Sequence, residues 1–497
     1  MELQFGEVVH PCLDIPLREV QNLEQTQELK LPEGMPDIGR ILASWGQPVL
    51  RSKEWNSDNI SMTGGMMIWV LYAPEDGTQP RCLEGWVPFQ CRWNLPGETP
   101  EGHIRILCLN RFLDARTVSA RKIMVRCAMA VMAEAFVPRE IRSYTPENTP
   151  ESVELLDRSY PVRLPREAGE KTFLLDEEIA FPASVPMAEK LLYYSVYPQV
   201  TDQKVLANKL VFRGAVTLHV LYVSEEGQLY SWDFELPFSQ FAELEDSFSG
   251  DAQADIKILP TNMELEQMDE GQLRLKAGFV AQYVVDDREM LRLVQDAYSP
   301  GREIKLQLQD LKLPLILESR QENMYGEQLL PDEVNIAVDA QFLLDFPKQR
   351  RTEQGVQVEI PGTFQLLFYG PDGALQSAKF RWEKDYLVPA DMDSQIAAVP
   401  QPVAVQMTPG GKTAVRVEFP VHMSATTSQG LPMVTALEVG QEKAKGAARP
   451  SLILQRTGEK DLWEIAKAND STVAAIRQAN QLHVDPLPGQ MLLIPVH

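Results

Sequence analysis

Leu218-His219-Val220-Leu221-Tyr222-Val223-Ser224-Glu225-Glu226-Gly227 reads as a half-buried strand running into a glycine turn, and the chain repeats it. Ile68-Trp69-Val70-Leu71-Tyr72-Ala73-Pro74-Glu75-Asp76-Gly77 stands near the start. Leu366-Leu367-Phe368-Tyr369-Gly370-Pro371-Asp372-Gly373 stands towards the end. The three tyrosines are 150 and 147 residues apart. A period that long marks a duplicated domain rather than a solenoid unit, because each copy is long enough to bury its own core.

In the middle copy Phe212, Gly214, Val216, Leu218, Val220 and Tyr222 share one face, and Arg213, Thr217 and His219 share the other. That alternation is the signature of a sheet with one wet side. Leu236-Pro237-Phe238 after the turn matches Val87-Pro88-Phe89 of the first copy. Phe181-Pro182-Ala183-Ser184-Val185-Pro186 before it matches Leu31-Pro32-Glu33-Gly34-Met35-Pro36. A further apolar strand closes each copy: Ile123 to Met129, Leu273 to Phe279, and Val415 to Met423. The third copy looks degraded. Its apolar phase (Phe364, Leu366, Phe368) is one residue out of step with Tyr369 and its turn is one residue shorter, as a bulge or a shifted alignment would produce.

At 497 residues the chain has room for three or four domains. Its 44% hydrophobic and 24% charged content is that of a soluble globular protein, so core material is not limiting. A net charge of −23 argues against a polyanionic partner, and the densest basic run, Lys348-Gln349-Arg350-Arg351, is too short to coat phosphates. The first residues carry no basic and apolar secretory signal, and no apolar run is long enough to span a bilayer. All five cysteines (Cys12, Cys82, Cys91, Cys108, Cys127) fall in the first copy, without Cys-x-x-Cys spacing, which suits reduced thiols in a cytosolic protein. The six histidines are scattered with no His-Glu-x-x-His, and Gly64-Gly65 lacks the Gly-Lys-Ser/Thr of a phosphate loop. The acidic run Glu243 to Asp246 lacks calcium-loop spacing and reads, with 247–254, as a solvated loop. A non-enzymatic protein with no cofactor and no metal is expected.

The expected fold is mainly β: three β-rich domains over 1–150, 151–318 and 319–440, the third divergent, then a flexible linker, 441–450, and a small βααβ unit, 451–497. The linker rests on a run without large apolar residues, Gly440 to Pro450. In the last unit Asp461 is placed to cap a helix presenting Leu462, Ile465 and Ala466. Thr472 opens a second, with Val473, Ile476 and Ala479 inward, and Pro488-Gly489-Gln490 turns into a strand.

Residues 451–497 resemble a LysM domain through Gly458-Glu459, Leu462-Trp463-Glu464-Ile465-Ala466-Lys467, Thr472-Val473, Ile476, Ala479-Asn480, Leu482 and Pro488 to Pro495. The resemblance implies a shallow groove for glycans containing N-acetylglucosamine, lined by Gly458, Glu459, Lys460 and Asp461 on one side and Leu482, Val484, Asp485 and Leu487 on the other. The first wall is one residue longer than the family's usual Gly-Asp-Thr/Ser-Leu-Trp, and the second about one residue shorter. Trp463, beside Leu462 and Ile465, reads as packing rather than as a sugar platform. The run Pro182 to Glu245 resembles the SPOCS domain, and SPOCS-like repeats followed by one LysM resemble the SipL-like spore-coat morphogenetic proteins. That resemblance implies a scaffold in the mother-cell cytoplasm, at the forespore surface. The resemblance further implies binding of the coat basement-layer ATPase SpoIVA through LysM, with other coat proteins as further partners. The alternative is a protein that binds peptidoglycan or N-acetylglucosamine through LysM.

Overall fold

The structure, a computed structural model, describes residues 2–3, 5–268, 271–388, 394–406, 414–443, 450–458 and 460–496. Strands account for 74% and helix for 4%, with both helices near the C-terminus, so the mainly-β expectation holds. A two-residue strand, β1 (Glu2–Leu3), comes first. One unit then contains β2 (Phe5–Lys30), β3 (Ile38–Asn56), β4 (Asn59–Pro74), β5 (Arg81–Asn94), β6 (His103–Ser119) and β7 (Lys122–Pro146). The next contains β8 (Glu154–Ile179), β9 (Ala188–Leu206), β10 (Lys209–Ser224), β11 (Leu229–Glu243), β12 (Gln253–Gln267) and β13 (Leu273–Tyr298). The last contains β14 (Arg302–Leu329), β15 (Ile336–Leu344), β16 (Lys348–Thr352), β17 (Gly355–Tyr369), β18 (Leu375–Val388), β19 (Ser394–Pro400) and β20 (Ala414–Glu442).

All three units follow one plan. A meander sheet (β3-β4-β5, β9-β10-β11, and β15/β16-β17-β18) accompanies a second antiparallel sheet in which the closing strand lies between two others (β2-β7-β6, β8-β13-β12, β14-β20-β19). In the third unit the first meander strand is broken into β15 and β16, both paired with β17. The apparent slip of the third copy has another cause than a bulge or a short turn. The turn glycines Gly77, Gly227 and Gly373 all have positive φ, and their N–H groups donate to the carbonyls of Pro74, Ser224 and Gly370 at 3.2, 2.8 and 3.0 Å. Counted back from these turns, the counterpart of Tyr72 and Tyr222 is Phe368, not Tyr369. The hydroxyls of Tyr72 and Tyr222 donate to the carbonyls of Pro36 and Pro186, whereas Phe368 keeps only the buried ring. The preceding turn also has a third copy: the amides of Met35, Val185 and Val334 donate to the carbonyls of Pro32, Pro182 and Pro331.

The units are joined side by side. The flanking strands β6, β12 and β19 end opposite Phe136, Asp286 and Thr427, and beyond those points each closing strand runs on with the first strand of its unit as a ribbon, two-stranded except where β1 joins β20. The ribbons share an apolar core of Cys12 and Ile141 from the first, Val162, Leu164, Leu291 and Leu293 from the second, and Leu431 and Met433 from the third. Further along, Val153, Ala297, Leu437 and Val439 continue it. The main-chain pairing of Leu3 with Leu437 stitches β1 onto β20. Below the ribbons the ring of Trp45 stacks on Tyr193, with centroids 4.7 Å apart. Stretch 244–252 is tied down rather than solvated throughout: Leu244 and Phe248 are buried, and Ser249 bonds to Asp287.

Polar groups caught between units are paired across them. Gln47 donates to the Val196 carbonyl at 2.5 Å and accepts from the Val196 amide at 2.9 Å. Gln282 does the same to the Ile106 carbonyl and amide at 2.8 and 2.9 Å. Buried Arg105 joins Glu134 of its own unit (2.6 Å) to Asp255 of the second (2.7 Å), and His422 of the third lies 3.3 Å from Asp255. Burial by itself would raise the pKa of Asp255, but Lys257, Arg105 and His422 hold it well below the usual carboxylate range. Asp286 is pushed up to about 6 by burial and by the Asp255 charge, which outweigh Arg163, Arg105 and His422. Such clusters fix which faces meet more than they add net stability, since desolvating the ions consumes most of the Coulombic gain.

His219 does not lie on a wet face. It is buried between units, Nδ1 2.6 Å from Asp233 and Nε2 2.7 Å from Asp339 of the third unit, itself fully buried. Burial opposes its charge, yet the two carboxylates outweigh it and hold the imidazole pKa well above its ordinary value. The stabilisation is complete below the free histidine value of about 6.5 and is lost as pH rises through the higher folded value. Urea unfolding of the wild type should therefore lose at least about 1 kcal/mol relative to His219→Asn between neutral and alkaline pH. Parallel profiles of the two proteins contradict the clasp.

Candidate functional site

The C-terminal module is built from β21 (Leu452–Arg456), α1 (Leu462–Ala468), α2 (Val473–Asn480) and β22 (Met491–Pro495), the βααβ order expected. The expected linker begins inside β20, where Glu442 pairs with Arg302; residues 444–449 lie outside the described residues. Both helices are short, so caps matter. The Asp461 carboxylate accepts from the Glu464 amide at 2.8 Å while Glu464 accepts from the Asp461 amide, a closed capping box. Thr472 caps α2 at the Ala475 amide, and Gln481 ends it in the left-handed region. Leu462, Ile465, Ala466, Ile476, Leu492 and Ile494 form the core, whereas Ala479 is exposed.

Of the first groove wall, Gly458 and Lys460 are exposed, Asp461 is occupied as the helix cap, and Glu459 lies outside the described residues. A Cβ built on Gly458 meets nothing within 4 Å, so the wall is open there. In the second wall Leu482 is half-buried against the module core, while Val484 and Leu487 are each 75% exposed. Those values mark two apolar lips that are the most exposed large side chains of the module, ahead of Leu452, Leu454, Met491 and Leu493 on its strands. Asp485 is drawn to Arg477 of α2 at 2.6 Å, which pins this wall to the helix.

Thr457 joins the two walls, and the spacing of the sequence did not single it out. Its hydroxyl donates to the Leu487 carbonyl at 2.7 Å, its amide to the Gln490 carbonyl at 2.8 Å, and its carbonyl accepts from the Gly489 amide at 2.9 Å. Gly489, with φ of 85°, permits the tight return that aims its N–H inward. Gln490 in turn caps the Leu487 amide through its side chain at 3.1 Å. The floor is thus hydrogen-bonded within the module, while the lips and the Gly458 edge remain available to a ligand or a protein surface.

The opposite side of the module is docked. Trp463 meets Tyr298, the last residue of β13, edge to face at 4.8 Å, and its indole donates to Asp296 at 2.8 Å. Lys467 reaches the same carboxylate at 2.7 Å, and the Tyr298 hydroxyl donates to the Ser471 carbonyl at 2.9 Å. Lys443 bonds to the Ser299 carbonyl and to Asp470. Trp463 is therefore a packing and docking residue, not a sugar platform. Asp296→Ala strands the indole and the ammonium together; amide exchange across α1 should rise about ten-fold while that of the ribbon core stays unchanged. An unaltered α1 would refute the latch.

Residues 188–268 match the family model described as SipL, SPOCS domain, and residues 457–495 match the LysM domain model. No curated protein and no solved structure matches the chain. The first match spans the meander and β12 of the second unit, and the second spans both groove walls. The chain carries a SPOCS domain of the SipL type and a LysM domain, the pairing of a SipL-like protein.

Proposed function

We propose that the chain is a non-enzymatic scaffold of spore-coat assembly, working in the mother-cell cytoplasm at the forespore surface. Its LysM module binds a SpoIVA-like coat ATPase. The observation that carries this reading is the arrangement of the module: its helix face is latched to Asp296 and Tyr298, so its apolar lips are held outward on a fixed base. A pre-positioned surface loses little orientational freedom on binding, which is what an adaptor between layers needs. The first and third units are read as SPOCS-like from their shared strand plan. The matched families are non-catalytic binding and scaffold modules. The thiols agree with that role: burial pushes Cys12 and Cys91 up to about 11 and Cys127 to about 12, with Cys82 and Cys108 higher still, away from nucleophilic reactivity.

The LysM match and the open Gly458 edge favour a second reading, a site for glycans containing N-acetylglucosamine. No helix of the described residues is long and apolar enough to cross a membrane, which leaves either reading free of that constraint. The two separate in one titration of the full chain against purified SpoIVA and against a chitooligosaccharide. The scaffold reading expects SpoIVA to bind and the sugar not to. Leu487→Glu, at an exposed position, should then weaken SpoIVA binding at least about ten-fold without changing the unfolding midpoint. Sugar binding without SpoIVA binding would replace the proposal with the second reading.

A further inference from the structure

Where the three units meet there is a cavity of about 90 Å³. Gly46 and Asn110 line it from the first unit, Ser195 and Val196 from the second, and Gln341 and Leu343 from the third. Two of the amide side chains here, Asn110 and Gln341, behave differently from Gln47, which also lines the cavity, and from Gln282. Gln47 and Gln282 use both ends of the amide on a neighbouring backbone. Asn110 spends its NH₂ on the Gly46 carbonyl at 2.7 Å, and Gln341 directs its NH₂ at the Tyr193 hydroxyl at 3.4 Å. Among the described residues, the carbonyl oxygens of both have no donor. Both residues are more than nine-tenths buried, at 8% and 7% exposure, so bulk water does not serve these oxygens. A buried acceptor left without a donor carries a desolvation penalty that a bound donor removes.

The walls also limit the ligand's charge and size. Among the described residues, no Asp, Glu, Lys, Arg or His lines the cavity, so a bare cation would find no counter-charge from them and would lose its hydration. The remaining lining is largely apolar and includes Val196 and Leu343. An apolar cavity of about 150 Å³ accommodates a six-carbon ring, so this smaller one suits about four or five heavy atoms. We propose that the cavity at the junction of the three units binds a small neutral hydrogen-bond donor of the amide or alcohol class, bridging the carbonyl oxygens of Asn110 and Gln341. Such a ligand links the first unit to the third, and its occupancy stabilises the assembled units by mass action.

Acetamide and acetone test this directly, because they match in heavy-atom count and shape and differ in having N–H donors. The full chain is labelled with ¹³C at valine and leucine methyl groups, and the Val196 and Leu343 signals are followed during titration with each. Acetamide should produce saturable shifts at both residues, and acetone should be at least ten-fold weaker. Asn110→Leu and Gln341→Leu, which remove the acceptors while roughly keeping volume, should each weaken acetamide by about ten-fold. Equal responses to the two molecules would overturn the proposal, because apolar filling alone would then explain them. So would the absence of a saturating acetamide response in the wild type below concentrations that unfold it, since the cavity would then hold water only. The comparison uses unaltered protein, so it stands even if a variant fails to fold.

Discussion

A strand face bearing glutamine, histidine and arginine is buried at low cost only when a neighbour supplies the complementary groups. That constraint shapes this molecule. Gln47, Gln282, Arg105 and His219 all lie on faces that a lone unit would leave to water, and each finds its partner in another unit. The apolar ribbon core works with them, because it draws the same three units together along a second line of contact. Hydrophobic burial supplies the driving force, and the paired polar groups choose the register in which the faces meet. A three-copy chain could otherwise form beads; here the copies close on one another.

The docked C-terminal module depends on that closure. Tyr298 and Asp296 occupy the far end of the second ribbon, which is held in place by its two neighbours. A latch on an unsupported ribbon would move with it. On a supported one, Trp463 and Lys467 fix where α1 points, and α1 fixes the first groove wall through the capping box at Asp461. Position therefore passes from the ribbon core to the groove through a short chain of side chains, each of which has a named partner.

Much of this architecture was legible in the sequence, and the missing parts have physical reasons. The meander strands around Tyr72 and Tyr222 were readable because one face is continuously apolar. The opening strands of the second and third units, 26 and 28 residues long, were not; β8, for one, is half-exposed along most of its length and its apolar alternation is weak. Tyr369 misled the alignment because an aromatic residue at a neighbouring position imitates the expected one; only the glycine turn identifies Phe368 as the counterpart. At the site, the proposed walls are those the resemblance to LysM implies, and their residues lie within one short module. Thr457 was missed because a threonine beside a glycine looks like any loop residue until its three hydrogen bonds are seen. Asp296 was out of reach altogether, since it lies 167 residues before the indole it holds.

The central claim is that the three units form one cooperative body. Hydrogen exchange across a denaturant series, read by mass spectrometry on peptides from β4, β10 and β17, tests it most directly because each peptide reports the core of a different unit. The account predicts that the slowest amides in all three exchange through one opening, with a common free energy and a common dependence on denaturant. Three separate opening energies, with the third unit exchanging while the first and second stay protected, would contradict it.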